Sequence, residues 1–174
     1  AIKIMNSPKG MAIAARRITV STSGIIPGIE KFKGLGLQVN LSISLHAADN
    51  ELRDKLMPVN MKYPLEKLLK ACEDYMENCG RMLTLEYVLI KGTNDSQKDI
   101  EGLAKIAKRL KAKVNLIPYS TLPNLNFQAP LKKDMEIFEG NLLKKGINVT
   151  VRDSKGKDIM AACGQLAGKG GDGY

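Results

Sequence analysis

The sequence predicts an α/β protein in which parallel strands, each followed by a helix, make up a partial (βα) barrel. Short β-branched or apolar runs alternate with amphipathic helical segments along nearly the whole length. Each connection between strands is long enough for a parallel crossover. Strand after strand also ends in polar residues, as in architectures that place chemistry at the C-terminal ends of their strands. Five strands are too few to close an eight-stranded barrel or a six-stranded one, so the barrel is expected to be incomplete.

The elements follow in order. Residues 1–15 open on a short apolar-periodic stretch (Ile2, Ile4, Met5) and then a breaker cluster, Asn6-Ser7-Pro8-Lys9-Gly10. Residues 17–23, RITVSTS, form a β-branched strand ended by Gly24, and Pro27-Gly28 leads into a short helix near Ile29–Phe32. The second strand spans 38–46. Asp49 or Asn50 caps a short helix ending near Leu56. Tyr63-Pro64 opens a long helix over 65–78, with Leu65, Leu68, Leu69, Cys72 and Met76 on one face and Gly80 as its stop. The third strand, 81–90, contains LTLEYVLI and reads as buried on both faces. Thr93-Asn94-Asp95 caps a helix over 97–110 with a stripe of Ile100, Leu103, Ile106, Ala107 and Leu110. KVNLIP at 113–118 is the fourth strand, and 120–130 is an irregular loop. A helix over 132–145 closes at Gly146, and 147–152 is the fifth strand. A short helix is expected over 154–162. We read 1–168 as one domain and the glycine-rich residues 169–174 as a flexible tail.

One stretch organises the rest. In LSISLHA, residues 41–47, Leu41, Ile43 and Leu45 alternate with Ser42, Ser44 and His46, the sole histidine of the chain. Small hydroxyls and an imidazole on the polar face mark the rim of a site. Other strand ends contribute Ser21, Thr22 and Ser23, then Glu86 and Tyr87, then Asn115, Tyr119 and Ser120, and finally Arg152 and Asp153. In a parallel sheet these converge on one rim and suit a small polar ligand. Glu86 lies among apolar neighbours, so its carboxylate needs a partner or a function. With no histidine pair and no close cysteine pair, no metal ligands are predicted in this chain. Cys72, on an apolar helix face, reads as a small core hydrophobe. Cys163, flanked by Ala161, Ala162 and Gly164, is an accessible thiol and a candidate for chemistry.

Composition narrows the class further. The chain has 174 residues, 44% of them apolar, which is enough for one sizeable core. No run of about 18 apolar residues predicts a membrane span, and no signal peptide is read at the start. Three cysteines at irregular spacing argue against a disulfide framework and for a reducing cytoplasm. A net charge of +9 favours a polyanionic partner such as RNA. With no tryptophan and 5% aromatics, stacking platforms for single strands are not expected.

Five strings in order, RRITVSTSG, ISLHA, LEYVLI, VNLIPY and AACGQLAG, resemble the radical S-adenosylmethionine RNA adenine-C2 methyltransferases, the RlmN/Cfr group. The resemblance runs from about Ile4 to Gly168. It implies a radical-SAM-type barrel lacking its first strands. It also implies methylation of carbon 2 of an adenosine in 23S rRNA and, in many members, in tRNA. S-adenosylmethionine and a [4Fe–4S] cluster are the implied cofactors. By position, Cys163 matches the methyl-carrying cysteine, Ser21 a cofactor contact, and Ser44, Leu45 and His46 a second contact segment. Ser120 stands where the family usually has an asparagine contact, and it offers a shorter reach.

The cluster-binding CxxxCxxC, the glycine-rich GEP segment, the resolving cysteine and the general-base glutamate do not occur in this sequence. The expectation is therefore an inactive C-terminal piece of a catalytic domain. The strand at 18–21 would then be an unprotected edge, open to oligomerisation or to cover by residues 1–15. The rival reading is a basic RNA-binding module without chemistry. A complete small-molecule barrel enzyme would need a longer chain.

Overall fold

The computed structural model describes residues 1–121 and 125–152. Five parallel strands form one sheet in chain order: β1 (Thr19–Thr22), β2 (Asn40–Ser44), β3 (Thr84–Leu89), β4 (Lys113–Pro118) and β5 (Val149–Val151). Helices fill the crossovers: α2 (Ile26–Lys33), α3 (Asn50–Leu56), α4 (Val59–Lys62), α5 (Leu65–Cys79), α6 (Gln97–Arg109) and α7 (Lys132–Lys144). A short α1 (Ile2–Asn6) precedes them. The predicted open α/β partial barrel is what forms.

Strand register sorts the side chains onto two faces. Thr22, Ile43, Leu85, Val114 and Val149 share one row, and Leu45, Tyr87, Leu116 and Val151 share the next on the same face. This face carries the core, where Leu41, Ile43, Leu85 and Leu116 meet Ile29, Leu68, Leu103 and Phe138 from the helices. The opposite face is polar, with Ser21 beside Ser42 and Thr84, and Ser44 beside Glu86, Asn115 and Thr150. β3 was expected to be buried on both faces, and that is corrected here. Its residues alternate, with Leu85, Tyr87 and Leu89 buried and Thr84, Glu86 and Val88 half-buried. The helices cover only one side of an open sheet, so even a central strand keeps a solvated face.

Local chemistry explains most boundaries. Asp49 caps α3, accepting from the Leu52 N–H at 2.9 Å. Gly80 ends α5 at φ +62°. Ser96 and Asp99 cap α6 reciprocally. The predicted cap of Thr93-Asn94-Asp95 was thus misplaced: Asp95 accepts from Gly92 N–H, and Asn94 is fully buried with another task. α2 runs longer than expected, and α4 was not anticipated. Cys72 is buried in the core as read, and its burial pushes the thiol up to about 12. The backbone hydrogen bonds of residues 1–13 close within that segment, with Ile13 N–H donating to Met5 C=O at 2.8 Å. Among the described residues β1 therefore pairs with β2 alone. No helix among the described residues is long and apolar enough to cross a membrane.

Candidate functional site

The C-terminal ends of β1 and β2 and the middle of β3 bring three predicted residues to one place. Ser21 Oγ donates to Glu86 Oε2 at 2.9 Å, and Ser44 Oγ donates to the same oxygen at 3.3 Å. Glu86, singled out because a carboxylate among apolar residues needs partners, finds them in two hydroxyls, one from the adjacent β2 and one from β1 beyond it. Among the described residues no lysine or arginine pairs with it within 4.0 Å.

His46 lies two residues past β2, with φ +58°. The period-2 pattern therefore stops before it, and the backbone turns into the left-handed region, uncommon for a residue with a Cβ. Two hydrogen bonds hold this turn. Val88 N–H donates to His46 Nδ1 at 3.2 Å, and Asn94 Nδ2 donates to His46 C=O at 2.8 Å. An accepting Nδ1 carries no proton, so the ring is neutral and its proton sits on Nε2. Burial, chiefly, and the nearby Arg53 charge lower the imidazole from 6.5 to about 4, against a smaller opposing pull from the Glu86 backbone. His46 thus presents a fixed N–H donor at neutral pH.

Leu45 contributes differently. Its side chain is wholly buried in the core, its N–H donates to Glu86 C=O at 2.9 Å, and its carbonyl accepts from Arg53 Nε at 3.1 Å. Any ligand contact from Leu45 would have to come from the backbone. Ser120 is half-buried just beyond β4, after Tyr119, whose N–H donates to Leu89 C=O at 3.0 Å. The Tyr119 hydroxyl beside it is buried with no hydrogen-bond partner among the described residues. Two other residues expected at the rim are not there. Tyr87 points into the core and donates its hydroxyl to Asn94 C=O at 2.9 Å, while Thr22 Oγ1 accepts from Gly24 N–H at 3.2 Å. Cys163 and Asp153, the 154–162 helix and the 169–174 tail lie outside the described residues.

Two residues that the sequence reading missed hold the site together. Arg53 is fully buried. Its Nη2 donates to the carbonyls of Ser23 at 2.8 Å and Ser44 at 3.2 Å, its Nε donates to Leu45, and its Nη1 donates to Asn60 Oδ1 at 2.8 Å. One guanidinium thereby ties the end of β1 to the end of β2. Gly24 makes room for it at φ +105°, since a Cβ there would stand 3.2 Å from Arg53 Nη2 and 3.0 Å from Leu68. Asn94 does the corresponding work between β2 and β3, donating to the carbonyls of His46 and Val88 and accepting from Ile90 N–H at 2.7 Å. Within ELRD and GTND neither residue announces burial, because both sit in polar runs that read as solvated.

An open parallel sheet backed by helices, with hydroxyls, a carboxylate and an imidazole gathered on its polar face, defines an α/β half-barrel. The chain belongs to the radical SAM superfamily, whose pattern it matches over residues 2–113. It is 52% identical over 168 residues to a probable dual-specificity RNA methyltransferase RlmN of Geobacillus kaustophilus, covering 97% of this chain and 46% of the relative. A similarly named protein of Akkermansia muciniphila is 48% identical over 166 residues, covering 95% and 46%. The resemblance read from the five strings agrees with these matches. The chain spans about half the length of the curated relatives it matches. Its fold matches the crystal structure of a radical SAM methyltransferase from Sphaerobacter thermophilus, with a TM-score of 0.89 and 45% identity over 94% of this chain and 48% of that one. A domain of pyruvate-formate lyase-activating enzyme from Bacteroides vulgatus shares the fold alone, with a TM-score of 0.61 at 20% identity over 78% of this chain and 80% of that one.

The rim suits S-adenosylmethionine by its donor set. It offers acceptors at Ser21, Ser44 and Glu86 and a donor at His46 Nε2, against a ligand bearing an ammonium, a ribose diol and a carboxylate. An iron–sulfur cluster finds no such fit, since among the described residues no three His, Cys, Asp or Glu side chains converge to hold a metal.

Proposed function

We propose that this chain is the cofactor-holding half-barrel of a radical SAM enzyme that methylates carbon 2 of adenosine in 23S rRNA and in tRNA. The observation that carries this is the gathering of Ser21, Ser44 and His46 at one end of the sheet, in a chain half-identical to proteins named as probable RNA methyltransferases. S-adenosylmethionine, when bound, supplies a transferable methyl group and, with a [4Fe–4S] cluster, radical chemistry. The chain's own residues bind and orient. Ser21, Ser44 and His46 grip the cofactor at the strand ends, and Ser120 adds one hydrogen bond where an amide is usual. Cys163 is assigned to carry the methyl group on its place in AACGQLAG. Its thiolate would be the acceptor for a methyl group that a bound sulfonium could supply. The +9 charge favours the RNA phosphates, and the free cysteines a reducing cytoplasm. The edge of β1 is where a second copy or other chain would pair.

The cluster ligands are assigned to another part of the enzyme, because CxxxCxxC does not occur here. The chain alone should therefore be inactive and should bind no stoichiometric cluster on anaerobic reconstitution. The test is Cys163→Ala in the full-length enzyme, with mass spectrometry of 23S rRNA and tRNA for 2-methyladenosine. Methylation should be lost, and its retention would remove Cys163 from this role. RNA binding without methylation by the assembled wild-type enzyme would favour the rival reading of a non-catalytic module.

A further inference from the structure

Each serine hydroxyl has a single proton. Ser21 and Ser44 both direct theirs to Glu86 Oε2, at 2.9 and 3.3 Å, from strands on the same side of β3. Their oxygens can then meet a ligand only as acceptors. Glu86 itself is half-buried on the polar face, carries acceptors alone when ionised, and has no cationic partner among the described residues. The Ser21, Ser44 and Glu86 oxygens therefore all face a ligand as acceptors, with donors at His46 Nε2 and at the Asn115 amide on the far side of Glu86.

We propose that Glu86 is the positioning residue that sets the polarity of this site. By fixing the Ser21 and Ser44 hydroxyls as acceptors, it selects a hydrogen-bond-donating part of the cofactor, its ammonium or its ribose diol, and turns anionic groups away. This rests on the reading of the rim as the S-adenosylmethionine site. A carboxylate left among acceptors repels a ligand carboxylate or phosphate and attracts a cation. An amide at the same position reverses the arrangement, because its NH2 donates to a serine oxygen and frees that hydroxyl proton to point outward.

Glu86→Gln, close in shape, tests this in the isotopically labelled chain. NMR titration at Ser21, Ser44 and His46 would use S-adenosylmethionine, neutral 5′-methylthioadenosine and inorganic phosphate as probes. S-adenosylmethionine should bind the variant about tenfold more weakly than wild type, the size expected for hydrogen bonds involving a charged group, while phosphate binding should hold or strengthen. A purely structural role would not reverse the preference in this way. An equal loss for 5′-methylthioadenosine would assign the ribose diol as the donor, and a loss confined to S-adenosylmethionine would assign its cationic portion, the ammonium with the sulfonium. Affinity within twofold of wild type for all three probes would overturn the proposal. If amide dispersion shows that Glu86→Gln does not fold, Ser21→Ala with Ser44→Ala must produce the same loss, and unchanged binding there would overturn it too. A wild-type chain that responds to neither adenosine probe would instead overturn the cofactor-site reading, and this inference with it.

Discussion

Replacing Arg53 with methionine should cost the fold about 3 kcal/mol. The methionine keeps much of the aliphatic stem and its volume, so little of the loss comes from packing. What disappears is the donor set for four acceptors: the buried Leu45 carbonyl and Asn60 Oδ1, and the half-buried carbonyls of Ser23 and Ser44. A buried acceptor left without its donor costs on the order of 1–3 kcal/mol, and the lower end applies where a carbonyl also bonds within the sheet. Relief from burying a charge offsets part of the sum. Urea denaturation should show a lower midpoint at unchanged m-value. The same variant should let His46 titrate above its present value of about 4, because one of the two causes that lower it is the Arg53 charge. Arg53→Lys separates fork from charge. It should lose comparable stability, since an ammonium cannot reach four divergent acceptors, yet leave His46 low. A loss below about 1 kcal/mol in Arg53→Met, or an unmoved His46, would refute the reasoning.

Two further outcomes test the frame around the site. His46 titrates at about 4 folded against 6.5 unfolded, so the unfolded chain binds more protons between those values. Its contribution to stability should be complete above pH 6.5 and lost as pH falls from 6.5 to 4, by at most roughly 3 kcal/mol, less for a ring that still meets some solvent. A His46→Asn variant compared by denaturation across that range should flatten the slope, and an unchanged slope would count against the assignment. Gly102→Ala in α6 sets helix propensity, favourable by about 1 kcal/mol, against a Cβ placed 2.7 Å from that of Ala48. Overpacking of that kind costs about 1–3 kcal/mol, so thermal unfolding should show net destabilisation, and a raised Tm would contradict the close approach.

The five strands and most helices were legible because their periodicity is a backbone matter. Ile100, Leu103, Ile106, Ala107 and Leu110 recur at helical spacing and all end up buried. Ser21, Ser44 and Glu86 were legible as polar residues in otherwise apolar strands, though not as a hydrogen-bonded trio, because 42 and 65 residues separate the partners. The two-sided reading of β3 failed on Val88, whose apolar side chain hides the alternation that the register restores. Arg53 and Asn94 were missed for a different reason. Their burial is imposed by carbonyls from other strands, which no local spacing encodes. The left-handed turn at His46 is of the same kind, since the bonds from Val88 and Asn94 stabilise what propensity alone would reject.

Because each strand lies next to its neighbour in the chain, the sheet can grow by accretion. Every new βα unit finds its template already laid down, and no distant segment must arrive first. Such a molecule is suited to assembling in order during synthesis, one edge advancing from β1 to β5.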